Sequence, residues 1–434
     1  MKNVLVSTMA MAAAVLASSA SAETLTIATV NNGDMIRMQK LTDDFTKANP
    51  DITLNWVTLE ENILRQKVTV DIATKAGQYD ILTIGTYEVP LWAKQGWLVS
   101  LDDLGADYDI DDLIPAIRTA TSYEGKLYAS PFYGESSLLM YRKDLFDKAG
   151  LKMPEKPDWD FVASAARKLT DRSADISGIC LRGKAGWGEN MAIINSLANS
   201  FGVKWFDEKY KSQFGTKGWH DVLEFYVKLM KDAGPVGVSS NGFNESLALF
   251  QQGKCAMWVD ASVAASFISD PKQSKVADKV GFAIAPDQAG SGDHGNWLWA
   301  WNLAIPTGSQ KVEAAKKFIA WATGKHYIEL VAQKEGWANV PPGTRQSLYK
   351  NPEYLKEAPF AKMTLDAMLS AGENKPKAQY SYWQYLILPE YQGVGTAVGQ
   401  LVSGAVSGNM TVEAALKQAQ QVTDREMAKA GYQK

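Results

Sequence analysis

Between Thr24 and Gly85 the chain alternates strand, helix, strand, helix, strand, and no other feature of its 434 residues restricts the fold as much. TLTIATV has the alternating pattern of a strand and stops at Asn31-Asn32-Gly33-Asp34. Met35, Met38, Leu41, Phe45 and Ala48 then recur at helical spacing until Asn49-Pro50 ends the helix. ITLNWVTL is a second strand, residues 62–76 form a helix, and YDILTIG is a third strand. Strands joined in this way run parallel, because a parallel pair needs a crossover connection. Ligands of such sheets sit beyond the carboxyl ends of the strands. Asn31 to Asp34, Glu60-Glu61 and Thr86-Tyr87-Glu88 all fall there.

A second α/β pattern follows an extended run through Pro131. Trp159–Leu169 and His220–Asp232 are helical by period, Glu245–Gln251 is a short helix ending at Gly253, and Cys255–Val259 is a strand. Val312, Ala315, Phe318, Ile319 and Ala322 mark another amphipathic helix, and the tail from Thr411 to Lys429 is helical with Thr411 as its N-cap. There is no internal repeat and no low-complexity linker. A chain of this length suits two or three domains, and two α/β lobes is the natural count.

The first 22 residues have another purpose. Lys2 gives a positive start, VLVSTMAMAAAVLA is an apolar run, and Ala20-Ser21-Ala22 fits a small-residue cleavage site. This reads as a secretory signal peptide, too short and wrongly flanked for a membrane span. The mature, exported chain then begins at Glu23. Its slight acidic excess (the full chain carries a net charge of −3) and its lack of any Lys/Arg run exclude a nucleic-acid partner. Cys180 and Cys255 are the only cysteines. Export permits a disulfide between them, but spacing alone leaves free thiols equally open.

GNWLWAWNLAIP sets Trp297, Trp299 and Trp301 at every second position. In a strand these share one face, and Leu298, Ala300 and Asn302 share the other. Such an indole wall is either core packing under helices or a stacking platform at a cleft.

Catalytic signatures are missing. His220, His294 and His326 lack metal-ligand spacing, and neither a C-x-x-C nor a G-x-S-x-G motif occurs. GSGDHG matches G-x-G-x-x-G but precedes a strand, whereas a nucleotide site needs strand-turn-helix. We therefore expect no cofactor, no metal and no catalysis. Carboxylates beside aromatic walls in an exported chain still leave a glycosidase as a competing reading.

Several stretches carry a family likeness: the run from VTLEENILRQK to KQGWLVSL, KAGWGENM, FNESLALFQQGKCAMWVDAS and GNWLWAWNLAIP. The mature chain resembles the extracellular solute-binding proteins of bacterial ABC importers, in the maltose-binding-like group, and locally its sorbitol/mannitol-binding members. The resemblance implies an α/β, two-lobed periplasmic-binding-protein fold of type II, with ligand between lobes joined by hinge segments. On that basis residues 23–130 and 303–336 form the N-terminal lobe, and 131–302 and 337–434 the C-terminal lobe.

It also implies positions. Asn32 and Asp34 match the ligand-facing loop after the first strand, and Glu135 in PFYGESS a carboxylate just past the first crossing. Trp187 in KAGWGEN and Trp383 in SYWQY fall at stacking aromatics. Val263, where maltodextrin binders place a tryptophan, and Tyr87-Glu88, where they place Asp-Arg, depart from the pattern and point to a smaller solute. Polyols offer hydroxyls at each carbon and a thin ribbon of C–H, which suits carboxylate acceptors and aromatic faces. Glu61, Glu135 and Asp260 are the expected acceptors, and Arg182, Lys184 and Arg345 the donors or counter-charges. Tyr87 and Tyr133 complete the set, with Trp299 and Trp301 as platform and Trp297 as rim or packing. The expected protein is a periplasmic monomer that passes a sorbitol- or mannitol-type polyol to the permease of an ABC importer. A cyclic mono- or disaccharide is the alternative ligand.

Overall fold

The computed structural model describes residues 22–288, 295–373 and 385–433. The expected signal segment, apart from Ala22, and Trp383 lie outside the described residues. Eight strands build the two main sheets: β1 (Glu23–Val30), β2 (Ile52–Leu59), β3 (Ile81–Gly85), β4 (Ser130–Glu135), β5 (Ser137–Arg142), β6 (Met257–Ala261), β7 (Val280–Ile284) and β8 (Trp299–Ala304). The first sheet has the order β2-β1-β3-β8-β4, with β1 parallel to β2 and β3, as the alternation requires. The second is β6-β5-β7, all antiparallel. Helices cover both sheets, so the fold is two α/β lobes.

The lobe boundaries need correction at two strands. We expected residues from 131, and those up to 302, in the second lobe. β4 and β8 instead close the first sheet, through a ladder that pairs Trp299 with Glu135, Trp301 with Tyr133 and Asn302 with Ile84. Without β8 the edge of β3 would leave a row of buried backbone groups unpaired, which is costly. The crossing is thus at Ser136, one residue between β4 and β5. There Gly134 donates its N–H to Pro342 O at 2.8 Å, and a Cβ on Gly134 would overlap the Gly343 carbonyl.

Helix ends follow local chemistry. The Glu60 carboxylate accepts the N–H groups of Asn62 (3.0 Å) and Ile63 (3.3 Å), starting a helix over Glu61–Thr74. That fixes Glu61 and Arg65, four apart, on one face. The expected helix Trp159–Leu169 is found with those bounds, and Thr411 caps Val412–Lys429 by accepting from Ala414 N at 3.2 Å. Cys180 and Cys255, left open by the sequence, form a disulfide with Cα atoms 5.9 Å apart. It fastens the segment leading to Arg182 onto the start of β6.

Candidate functional site

A small, tightly walled cavity lies where the carboxyl ends of the first sheet's strands meet the second lobe. Its first-lobe side is built on Arg65. The guanidinium is 2.8 Å from Glu61 and 2.9 Å from Glu88, whose other oxygen accepts from Gly85 N at 3.0 Å. Three indoles surround it, with centroids at 3.8 Å (Trp187), 4.7 Å (Trp301) and 5.2 Å (Trp299). A cation over aromatic faces is attracted by their quadrupoles, more so where water is excluded. Trp299 meets Trp301 edge-on at 88° and Tyr385 at 84°. Gly85 is needed beneath it, because a Cβ there would overlap the Trp299 ring.

The second-lobe side is built on Arg182. It bonds Asp260 through Nη2 at 2.6 Å and Nε at 2.9 Å, and donates Nη1 to Gly188 O at 3.0 Å. Asp260 has no exposed surface and also accepts from Trp258 Nε1 (3.1 Å) and Ala261 N (2.7 Å). Glu189 stands 3.7 Å from Arg182, and burial and the facing Glu61 push its carboxyl up to about 8. Glu135, at the end of β4, reaches the cavity between these two sides. It is 4 % exposed, and no described residue gives its carboxyl a hydrogen bond. Burial, then the carboxylates of Asp260, Glu61 and Asp34, push it well above the usual range, against the pull of Arg182.

Seven expected site residues line the cavity: Asn32, Glu61, Tyr133, Glu135, Arg182, Trp299 and Trp301. Asn32 donates to the Tyr133 hydroxyl at 3.1 Å, which holds both. Six others do not line it. Asp34 is consumed by Arg37 at 2.6 Å, and Asp260 is hidden behind Arg182. Tyr87 donates to Leu388 O at 2.5 Å, and Trp187 spreads its ring over Arg65. Lys184 reaches across to Glu60 at 2.7 Å. Arg345, fully buried over Tyr108, donates to the carbonyls of Thr323 and Asp109, both at 3.1 Å. Its task is to hold the chain together, because Nε, Nη1 and Nη2 each donate to a carbonyl and Asp112 supplies the counter-charge at 3.6 Å, away from solvent.

The sequence reading missed Arg65, Gly188, Phe243 and Tyr385 as lining residues. Arg65 had a signal, namely its i+4 offset from Glu61 behind a carboxylate cap. Gly188 is there because a Cβ would run into the Glu61 carboxylate and Arg65. Val263, singled out as a departure, does line the cavity. The indole question divides. Trp297 is 1 % exposed and packs in the core, while Trp299 and Trp301 are both buried and cavity walls. Their opposite neighbours Leu298 and Ala300 pack on Ile114, Ile117 and Met368. Away from the cavity, His220, Glu224 and Glu413 come close enough to share an ion, a grouping the spacing of histidines alone did not suggest.

Two α/β lobes closed over a small chamber of carboxylates, guanidiniums and indoles define a protein built to hold a hydrophilic solute. The chain belongs to the bacterial extracellular solute-binding protein family, which matches residues 32–328. It is a non-enzymatic binding protein, and the glycosidase reading falls away. A mannitol-binding protein of Pseudomonas aeruginosa is 54 % identical over 416 residues, 95 % of each chain. An ABC transporter solute-binding protein of Agrobacterium vitis S4, solved with bound D-mannitol, is 66 % identical with a TM-score of 0.93, covering 95 % of this chain and 100 % of that one. Another from Agrobacterium radiobacter K84, in complex with ribitol, is 27 % identical with a TM-score of 0.81, covering 93 % and 98 %. No helix among the described residues is long and apolar enough to cross a membrane.

Proposed function

We propose that this protein captures an open-chain polyol, D-mannitol or its epimer sorbitol, in the cavity described and delivers it to the permease of an ABC importer from the periplasm. Glu135 carries the reading: a buried carboxyl that faces the cavity with no described hydrogen-bond partner is paired when solute hydroxyls reach it. The Trp299 and Trp301 rings cover the C–H ribbon, and Asn32, Glu61, Tyr133 and Arg182 present polar atoms around it. The polyols bound by the relatives support the same reading. We place Asp260, Asp34, Trp187 and Lys184 behind or beside the binding residues, as their supports.

A thermal-shift screen tests this. Binding to the folded state alone stabilises by about 2.7 kcal/mol at a hundredfold excess over Kd, and in a chain of this size a kilocalorie is worth about 2 °C or less. D-mannitol or sorbitol should raise Tm by a few degrees, and maltose should not. A shift with maltose and none with any hexitol would overturn the polyol assignment.

A further inference from the structure

The cavity's two guanidiniums are both already neutralised. Arg65 has Glu61 and Glu88 within 2.9 Å, and Arg182 has Asp260 at 2.6 Å with Glu189 at 3.7 Å. Lys184, the next cation, does not line the cavity and is shared between Glu60 at 2.7 Å and Glu189 at 3.7 Å. The three nearest described cations thus each have carboxyl partners, while Glu135, which lines the cavity with Glu61, has no ion pair of its own among the described residues. We propose that the cavity selects polyols by charge: it takes a cationic amino-polyol, an open-chain sugar alcohol bearing an ammonium group, alongside the neutral solute, and rejects polyol acids and phosphates, with Glu135 as counter-ion. The inference rests on the polyol reading of the same site.

The physics runs in one direction. With a neutral solute, burial and the neighbouring carboxylates favour the protonated form of Glu135 against the pull of Arg182, and that form offers one O–H donor and one acceptor oxygen. An ammonium group at a chain end replaces a hydroxyl of similar size and supplies the missing positive charge. Glu135 ionises beside it, releasing its proton to solvent, and the pair gains a charge-assisted hydrogen bond. Among the described residues an anionic end group meets guanidiniums already paired, with the carboxyls of Glu61 and Glu135 in the cavity wall beside it. Like charges brought together in a water-excluded site are strongly disfavoured, and selection of this kind needs no steric clash.

Titration calorimetry at pH 7 on the ligand-stripped protein decides it, with D-mannitol, 1-amino-1-deoxy-D-mannitol, D-mannonate and D-mannitol 1-phosphate as probes. The amine should bind within about tenfold of mannitol, and both anions at least about 100-fold more weakly. In Glu135→Gln, which keeps the shape and one acceptor oxygen, the affinity ratio of amine to mannitol should fall by about tenfold or more. Heat with mannitol and none with the amine, an unchanged ratio in the variant, or an anion bound as tightly as mannitol would each overturn this inference and leave the polyol reading in place. No heat with mannitol or any hexitol would overturn both. The wild-type series stands alone if the variant does not fold.

Discussion

Arg65 and Arg182 face the same cavity, each pinned by buried carboxylates, yet they are held differently. Every described hydrogen-bond, ion-pair and ring partner of the Arg182 guanidinium, from Asp260 and Glu189 to the Gly188 carbonyl and the Phe243 ring at 5.1 Å, belongs to the second lobe. Tyr226 even bonds the Arg182 carbonyl from below at 2.8 Å. Arg65 takes its carboxylates from the first lobe but its nearest aromatic face from Trp187 of the second, at 3.8 Å. Folding one lobe therefore completes the Arg182 wall, whereas the Arg65 wall is complete only when the lobes are together. Hinge closure around ligand is established for periplasmic binding proteins as a class. The contrast separates residues that carry stability from residues that carry affinity.

Substitutions within the Arg182 wall should produce the largest effects, on stability. Asp260→Ala leaves a buried guanidinium without its bidentate partner and only Glu189 at 3.7 Å, and breaking such a pair costs about 3–5 kcal/mol. Urea unfolding should show that loss with or without hexitol. If Asp260→Ala unfolds normally and loses only affinity, the wall is not a product of folding and the comparison fails. Next comes the disulfide that anchors this wall, which closes a loop of 75 residues. Replacing Cys180 and Cys255 together by Ala should cost about 2–4 kcal/mol, read from the same denaturation curves.

The sequence made the outline of this contrast legible and hid its detail. Strand and helix periods located the first parallel strands, and the strand-end rule found Asn32 and Glu61. Alternation in GNWLWAWNLAIP correctly put Trp299 and Trp301 on one face, yet nothing in a period of two tells which strand it will pair with. Residues 299–302 of β8 were therefore expected in the second lobe, although they pair within the first sheet. The charged residues fared worse, for a physical reason. Asp260, Arg345 and Asp34 look from sequence like free polar groups, but each is satisfied by partners at least partly distant in the chain, such as Arg182, Asp109 and Asn339 by way of Arg37. Whether a charge faces a cavity or supports its wall depends on which neighbour arrives first, and that is a property of packing.

Glu135 lies between the walls and tests them from the ligand's side. Glu135→Ala removes the carboxyl without touching either guanidinium pair. Hexitol affinity should fall by about 10- to 100-fold, since tenfold is about 1.4 kcal/mol, while unliganded stability stays level or rises as a buried ionisable group is lost. Calorimetry with a parallel melt separates the two. A large drop in unliganded Tm with normal affinity would mean that Glu135 supports the fold and does not read the solute.

The smallest effect is one of pH, and it probes the seam between the walls. Glu189 accepts from Phe243 N at 3.3 Å in its own lobe and faces Arg182 and Lys184, each at 3.7 Å. Glu61 and Glu60 face it from the first lobe, and Glu245 lies beyond Lys184 at 4.0 Å. Burial and those facing carboxylates hold it at about 8 when the lobes are together. Opening them hydrates Glu189 and removes Glu61, which returns it toward its ordinary value of 4.5. The closed form therefore binds the extra proton, so closure is favoured below about pH 8 and loses that advantage as pH rises through it. Between pH 7 and 9 hexitol affinity should fall by at most about tenfold, one proton's worth over that window. Glu189→Gln should flatten the profile, because an amide in that position has no proton to lose. Affinity that rises with pH over this range, or a slope that survives in Glu189→Gln, would show that closing the Arg65 wall does not trap that proton.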